Sequence, residues 1–259
     1  AQVSHLALYL LGPPRIELDG VPIKVDRRKA IALLAYLAVT GESHRRDSLV
    51  NLLWPDYDTA RGRSALRRTL YALRKSLADL SPDSEQATWL DIDRESVGLN
   101  PRADIWLDVN RFRGLLAQCH THGHPPSDVC PACLSPLTDA VTLYRDDFLR
   151  GFSLRDSLNF DDWQFYQADA LRREFGGALA RLVRCHIAQG TFEPAIRHAR
   201  RWLALDRLDE QAHAQALKNL SKVLTWAGKH DEAERLVDLA VVTTSEDSDT
   251  HFLKANLLW

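Results

Sequence analysis

The hydrophobic pattern changes character once, near Pro101, and that change limits the folds open to the chain. Before it, short β-rich or alternating runs are mixed with helical spacing. After it, apolar residues recur almost only at the three-to-four-residue interval of helices. A mixed front and a helical rear in 259 residues point to two domains. The expected division is 1–103 and 104–259. The expected fold class is mainly α with small β elements: an N-terminal winged helix-turn-helix plus a C-terminal TPR-like all-α domain.

In the front part, Val3 to Leu11 is a β-rich run closed by Gly12-Pro13-Pro14. Arg15 to Leu18 alternates polar and apolar, Asp19-Gly20 signals a hairpin, and Val21 to Val25 resumes the strand. Strands are therefore expected over 3–11, 14–18 and 21–25. Ala30, Leu33, Leu34 and Leu37 form one face of a first helix ending near Thr40-Gly41. A second helix starts at a Ser43 cap, carries Leu49, Leu52 and Leu53, and stops at Trp54-Pro55. A third spans about 59–80. Two short strands at 89–93 and 96–99 flank Arg94. Strands, three helices and a two-stranded hairpin follow the order of a winged helix-turn-helix, with Arg94 near the tip of the wing.

The third helix carries the clearest functional signal. Residues 60–77 hold six basic side chains and no acidic one. Leu66, Leu70, Leu73 and Leu77 make an apolar stripe. At about 100° per residue the opposite face collects Arg61, Ser64, Arg68, Tyr71 and Lys75, with Arg67 and Arg74 toward the edge of the stripe. A solvated helix face usually interleaves carboxylates with its cations, because like charges one turn apart repel. Along this helix Arg63, Arg67 and Tyr71 succeed one another at four-residue spacing with no carboxylate between them. The major groove of DNA admits a helix, where Arg reads guanine and Arg, Lys, Ser and Tyr bind phosphates. The charge balance agrees. Residues 1–103 carry 15 basic and 13 acidic side chains, the remainder 18 and 22. The net charge of -2 excludes a basic coat over the whole chain.

Several segments together resemble a known family. They are Leu8-Tyr9-Leu10-Leu11-Gly12 with Asp19-Gly20, the run from Arg27 to Ala38, Leu52-Leu53-Trp54-Pro55-Asp56, and Ala65 to Lys75. In this order they look like the response-regulator-type winged helix of SARP-type bacterial transcriptional activators. Asp104 to Phe112 resembles the opening of the bacterial transcriptional activator domain that follows it there. Leu143 to Leu149 and Trp202 to Asp206 also fit that domain. Thr243 onward departs from the family's last repeat. The resemblance implies a sequence-specific, non-enzymatic and cytoplasmic DNA-binding regulator. Its partners would be double-stranded DNA and RNA polymerase, with a possible homodimer and no membrane. It assigns DNA binding to Arg61, Ser64, Arg67, Arg68, Tyr71 and Lys75; the wing placement adds Arg94. The alternative is a TPR-like protein-interaction scaffold without specific DNA binding.

In the rear, helices are expected at 108–118, 134–145, 159–189, 192–205, 209–227 and 230–243. Ala188 to Ala195 and Trp226 to Ala233 echo each other at an offset of 38 residues, which suggests stacked helical hairpins. Trp163, Phe165 and Trp202 are expected in the helical core. Between the first two of these helices, three of the four cysteines fall within fifteen residues. Cys119-x-x-His122 and Cys130-x-x-Cys133 pair thiols with an imidazole at two-residue gaps. Such gaps let both members of a pair reach one metal, and the set matches tetrahedral Zn²⁺. Four protein ligands leave no place for a substrate water, so the zinc is expected to be structural. His124 is the rival fourth ligand and His120 the third choice. A surface loop with incidental thiols or a Cys130/Cys133 redox pair are the competing readings.

The sequence has no Gly-rich phosphate loop, no G-x-S-x-G and no H-E-x-x-H. Asp161-Asp162 sits at an expected helix start, where acidic residues suit the dipole. Cys185 and His186 are adjacent on a helix and point about 100° apart. No secretory signal or membrane-length apolar run is legible. The lack of Met, even at position 1, suits a fragment or an edited chain.

Overall fold

The computed structural model describes residues 4–78, 89–125, 128–205 and 210–243. Val3, residues 79–80 and everything past Thr243, on which some of the expectations above fall, lie outside the described residues. The front elements are β1 (His5–Tyr9), β2 (Arg15–Leu18), β3 (Val21–Pro22), α1 (Arg28–Thr40), β4 (His44–Arg45), α2 (Arg46–Leu53), α3 (Thr59–Ala78), β5 (Leu90–Ile92), β6 (Ser96–Leu99) and β7 (Asp104–Leu107). Then come α4 (Asp108–Gln118), α5 (Leu134–Leu143), α6 (Leu158–Ala188), α7 (Phe192–Leu205), α8 (Glu210–Trp226) and α9 (His230–Thr243). The fold is mainly α with two small sheets: a winged helix-turn-helix followed by a helical domain. Among the described residues no helix is long and apolar enough to cross a membrane.

The described residues form two compact units. One joins residues up to 112 with 143–171; the other joins 113–142 with those from 172 onward. β7, which the sequence assigns to the rear part, belongs to the first of these units. It completes a sheet of order β3-β2-β1-β7, antiparallel except where β7 runs parallel to β1, with Leu6 opposite Ile105 and Leu8 opposite Leu107. Asp108 then locks the junction. Its buried Oδ2 accepts the N–H groups of Leu10 and Leu11 at 2.8 and 2.9 Å. Burial pushes the Asp108 carboxyl up from its ordinary value, while those amide bonds and Arg145 oppose the shift.

The second sheet has the order β4-β6-β5. Here Ser43 is not a helix cap. His44 and Arg45 pair with Val97 and Ser96 of the wing, so α2 starts only at Arg46. A Cβ on Gly98 would lie 2.3 Å from the Ser43 hydroxyl and 3.2 Å from its Cα, so the wing strand passes close over this bend. The apolar faces behave as their spacing dictates. Ala30, Leu33, Leu34 and Leu37 of α1, Leu49 and Leu53 of α2, and Leu66, Leu70, Leu73 and Leu77 of α3 are all buried. α1 ends on Gly41 in the left-handed region, whose N–H bonds the Leu37 carbonyl.

In the second unit α7, α8 and α9 pack in sequence around Val183, Ala195, Ile196, Leu220, Val223, Leu224 and Ala233. The 38-residue echo has a backbone counterpart. Gly190 (φ 68) and Gly228 (φ 74) both turn left-handed. Thr191 N–H bonds the His186 carbonyl and Lys229 N–H the Leu224 carbonyl, each at 2.9 Å. Both are six-residue closures of the kind that satisfy the last carbonyls of a helix. Among the aromatics expected in the core, Trp163 is half-buried against Tyr36, Phe148 and Phe160. Trp202 is also half-buried. Phe165 is instead 67% exposed, because two residues along a helix is about 200° around it.

Candidate functional site

Helix α3 is built to expose one face. Asp58 opens it by accepting the Arg61 N–H at 2.8 Å. Gly62 then lets it lie against α2: a Cβ there would fall 2.3 Å from Val50 Cγ1. With the Leu stripe anchored, Arg61, Arg67, Arg68, Arg74 and Lys75 are exposed, Ser64 is half-buried, and Tyr71 is 72% exposed. A tyrosine this exposed beside arginines presents an aromatic face and a hydroxyl to whatever approaches.

The cations of α3 are not equivalent. Arg63 is taken by α2: its Nε and Nη2 donate to the two oxygens of Asp47 at 2.8 and 2.9 Å. The Arg63 hydrogen bond is the main cause that lowers the Asp47 carboxyl below its usual range. The carboxylate absent from α3 thus comes from the neighbouring helix, which sequence spacing along one helix does not reveal. The Arg61 guanidinium lies 4.1 Å from the ring centre of Tyr57. Arg67, Arg68, Arg74 and Lys75 have no hydrogen-bond or ion-pair partner among the described residues.

The wing tip is organised by Asp93. Its Oδ1 accepts the N–H groups of Glu95 and Ser96 at 2.6 Å each, and its Oδ2 accepts the Ser96 hydroxyl at 2.8 Å. The Ser96 bonds, with that from Glu95, hold the Asp93 carboxyl below its ordinary value. Arg94 projects exposed from this fixed turn. Arg46, at the start of α2, donates to the Asp93 carbonyl at 2.8 Å and ties the wing to the helices.

A second cluster lies in the other unit. Residues 119–122 and 131–133 form two facing 3-10 turns. They bring together His122, His124, Cys130 and Cys133, whose donor atoms all lie within 4.8 Å of one another. His122 Nδ1 and His124 Nε2 are 3.2 and 3.1 Å from Cys133 Sγ. Cys130 Sγ is 3.5 Å from His122 Nδ1 and 3.7 Å from Cys133 Sγ. Zinc–sulfur bonds of ~2.3 Å at a tetrahedral angle place two sulfurs about 3.8 Å apart, so the thiol pair already has the needed separation. This His₂Cys₂ group can hold a metal ion. Cys119, the ligand expected from spacing, is not one of these four; its buried Sγ lies 3.9 Å from the Leu115 carbonyl and also hydrogen-bonds the Cys133 thiol. His124 is the fourth member of the group and His120 is exposed. Burial opposes ionisation of the Cys133 thiol, but hydrogen bonds from Cys130, His124 and Cys119 bring it down to about 7. His124 is raised to about 9 by the Pro125 carbonyl and the Cys133 sulfur.

The residues weighed for catalysis have structural partners. Asp161 Oδ1 accepts the Leu154 N–H at 3.1 Å. Cys185 is buried. His186 Nδ1 lies 2.9 Å from the Thr191 hydroxyl, and its ring stacks on His198 at 5.5 Å.

Residues 107–238 match the family described as Bacterial transcriptional activator domain. The fold is similar to that of Mycobacterium tuberculosis EmbR, solved in complex with a low affinity phosphopeptide, with a TM-score of 0.74. The likeness covers 98% of this chain at 19% identity and 65% of that one, so this chain spans less than two thirds of its length. No curated protein matches the chain by sequence.

Proposed function

The chain belongs to the bacterial transcriptional activator domain family, that of the SARP-type regulators, and on that footing we propose that it binds a specific double-stranded DNA sequence and activates transcription there. The observation that carries the reading is the row Arg67, Arg68, Arg74 and Lys75 on α3, exposed and without a hydrogen-bond or ion-pair partner among the described residues. In this reading α3 enters the major groove. Arg61, Ser64, Arg67, Arg68, Tyr71 and Lys75 meet bases and phosphates, and Arg94 of the wing meets the adjacent backbone. The helical unit, TPR-like in its stacked hairpins, contacts RNA polymerase or a second copy of the chain. The protein works in the cytoplasm and performs no catalysis.

The His₂Cys₂ cluster suits zinc in a structural role. Two thiolates and two imidazoles fill a tetrahedron and neutralise the ion. A segment with few apolar residues between α4 and α5 is thereby fixed without a core of its own.

The stacked hairpins alone also suit a protein-interaction scaffold. Selection of bound duplexes from a random DNA pool separates the two. A regulator enriches one sequence and loses affinity steeply as salt rises. A pool that stays random, with affinity indifferent to salt, overturns the DNA reading.

A further inference from the structure

Two hollows border α3 on the side toward α1. One, of about 770 Å³, lies between residues 22–27 and α3, lined by Arg27, Arg67, Arg68, Tyr71 and Lys75 among others. The second, of about 710 Å³, is lined by Arg27, Arg68 and Arg155, with Trp54 and Tyr57. Arg27 and Arg68 border both, so the two hollows adjoin, a composite channel beside α3, the start of α1 and the segment after α5.

The cations along this channel fall into two sets. Arg28 donates to the Ser153 carbonyl at 2.8 Å and lies over the Phe152 ring. Lys29 bonds the Leu53 carbonyl at 2.6 Å and Asp156 at 2.8 Å. Lys24 pairs with Asp26 at 3.4 Å. Arg28 and Lys29 are tied into the fold, and Lys29 and Lys24 pair with the two carboxylates that line the hollows, Lys24 in an exposed pair. Arg27, Arg67, Arg68, Lys75 and Arg155 are exposed and have no hydrogen-bond or ion-pair partner among the described residues. Five cations around one channel repel one another unless an anion lies between them. Small-ligand sites are mostly apolar with a few polar groups, whereas each of these hollows, though partly apolar, is bordered by five cationic side chains, and the row continues the exposed face of α3. A polyanion strand fits it.

We propose that this channel holds the phosphate backbone of the strand flanking the groove that α3 enters, with Arg27 and Arg155 as phosphate contacts outside the recognition helix. The proposal rests on the DNA reading above. It also extends the DNA surface into the matched segment 107–238, since Arg155 lies there. Neither arginine faces base edges in this arrangement. Both therefore add affinity without sequence preference.

The test is titration of the full chain with the selected duplex and a scrambled one, from 50 to 200 mM salt, for wild type, Arg27→Gln, Arg155→Gln and the double variant. Each phosphate contact contributes about 0.9 to the slope of log affinity against log salt. Each single variant is expected to flatten the slope by about one and the double by about two, with the same fold-loss on both duplexes and unchanged melting temperature. Arg27→Lys and Arg155→Lys keep the wild-type slope. Wild-type slopes in the Gln variants, beside a wild type that binds DNA salt-dependently, overturn the proposal and leave the DNA reading standing. A wild type without salt-dependent binding overturns both. Displacement of DNA by millimolar inorganic pyrophosphate at constant ionic strength, lost in the double variant, assigns the channel to a small phosphorylated ligand and also overturns it.

Discussion

The Arg63 guanidinium and the Asp47 carboxylate face each other as a two-bond fork across α2 and α3, at 2.8 and 2.9 Å. Arg63 is thereby committed to the helix pair, while Arg68, just over one turn further on, is free to meet a ligand. Alanine at the two positions separates these roles. Arg68→Ala is expected to weaken binding of the selected duplex by ~1–3 kcal/mol if it reads a base, and to relax preference at one position. Arg63→Ala should leave sequence preference unchanged. Equal loss of preference in both, measured by competition between duplexes, would falsify the division of labour.

Gly62 offers a sharper test of how α3 is seated. Alanine normally favours a helix interior over glycine by ~1 kcal/mol. Here its methyl would stand 2.3 Å from Val50 Cγ1, and overpacking costs about 1–3 kcal/mol. Gly62→Ala is expected to lower the melting temperature, and adding Val50→Ala to recover part of the loss. Stabilisation by the single substitution contradicts the close helix crossing.

For the metal cluster, metal analysis of purified protein should find about one zinc per chain, lost in the Cys130→Ser, Cys133→Ser double variant. X-ray absorption should count two sulfur and two nitrogen neighbours. Cys119→Ser should retain the metal and His124→Ala should weaken its binding. Three sulfurs in the shell would restore Cys119 as a ligand in place of a histidine.

Acid sensitivity of the second unit should trace in part to His198. Burial, then His186, Arg197 and Arg201, hold its imidazole down to about 4, against an ordinary value near 6.5. Between about pH 6.5 and 4 the unfolded chain therefore binds the extra proton. Stability is complete above that window and falls as pH drops through it. His198→Phe should flatten the dependence of the urea midpoint on pH there. A curve parallel to wild type would show that another group governs it.

Local patterns in the sequence foretell local structure well. The Leu66–Leu77 stripe set both the register of α3 and its exposed cationic face. Gly190 and Gly228 marked two equivalent helix ends. What escaped depends on partners distant in the chain. Asp104 to Leu107 is too short to announce a strand, and its partner lies about a hundred residues earlier. Ser43 has the chemistry of a cap, but pairing of the next two residues with the wing delays the helix. Phe165 is apolar, yet its helix turns that position outward. In the cysteine segment, spacing ranked Cys119 above His124. The fold gathers His124 with His122, Cys130 and Cys133, while Cys119 meets that group through Cys133.

The parallel pairing of β1 with β7 has a consequence for how the protein is made. On the ribosome β1 emerges roughly a hundred residues before the strand that covers its second edge. At ~5–20 residues per second that edge stays open for about 5–20 s. An open edge is a template for pairing with another chain. The nascent front unit thus passes through an interval in which β1 and β2 are available and β7 is not. Aggregation during synthesis should be governed by that delay more than by the stability of the finished fold.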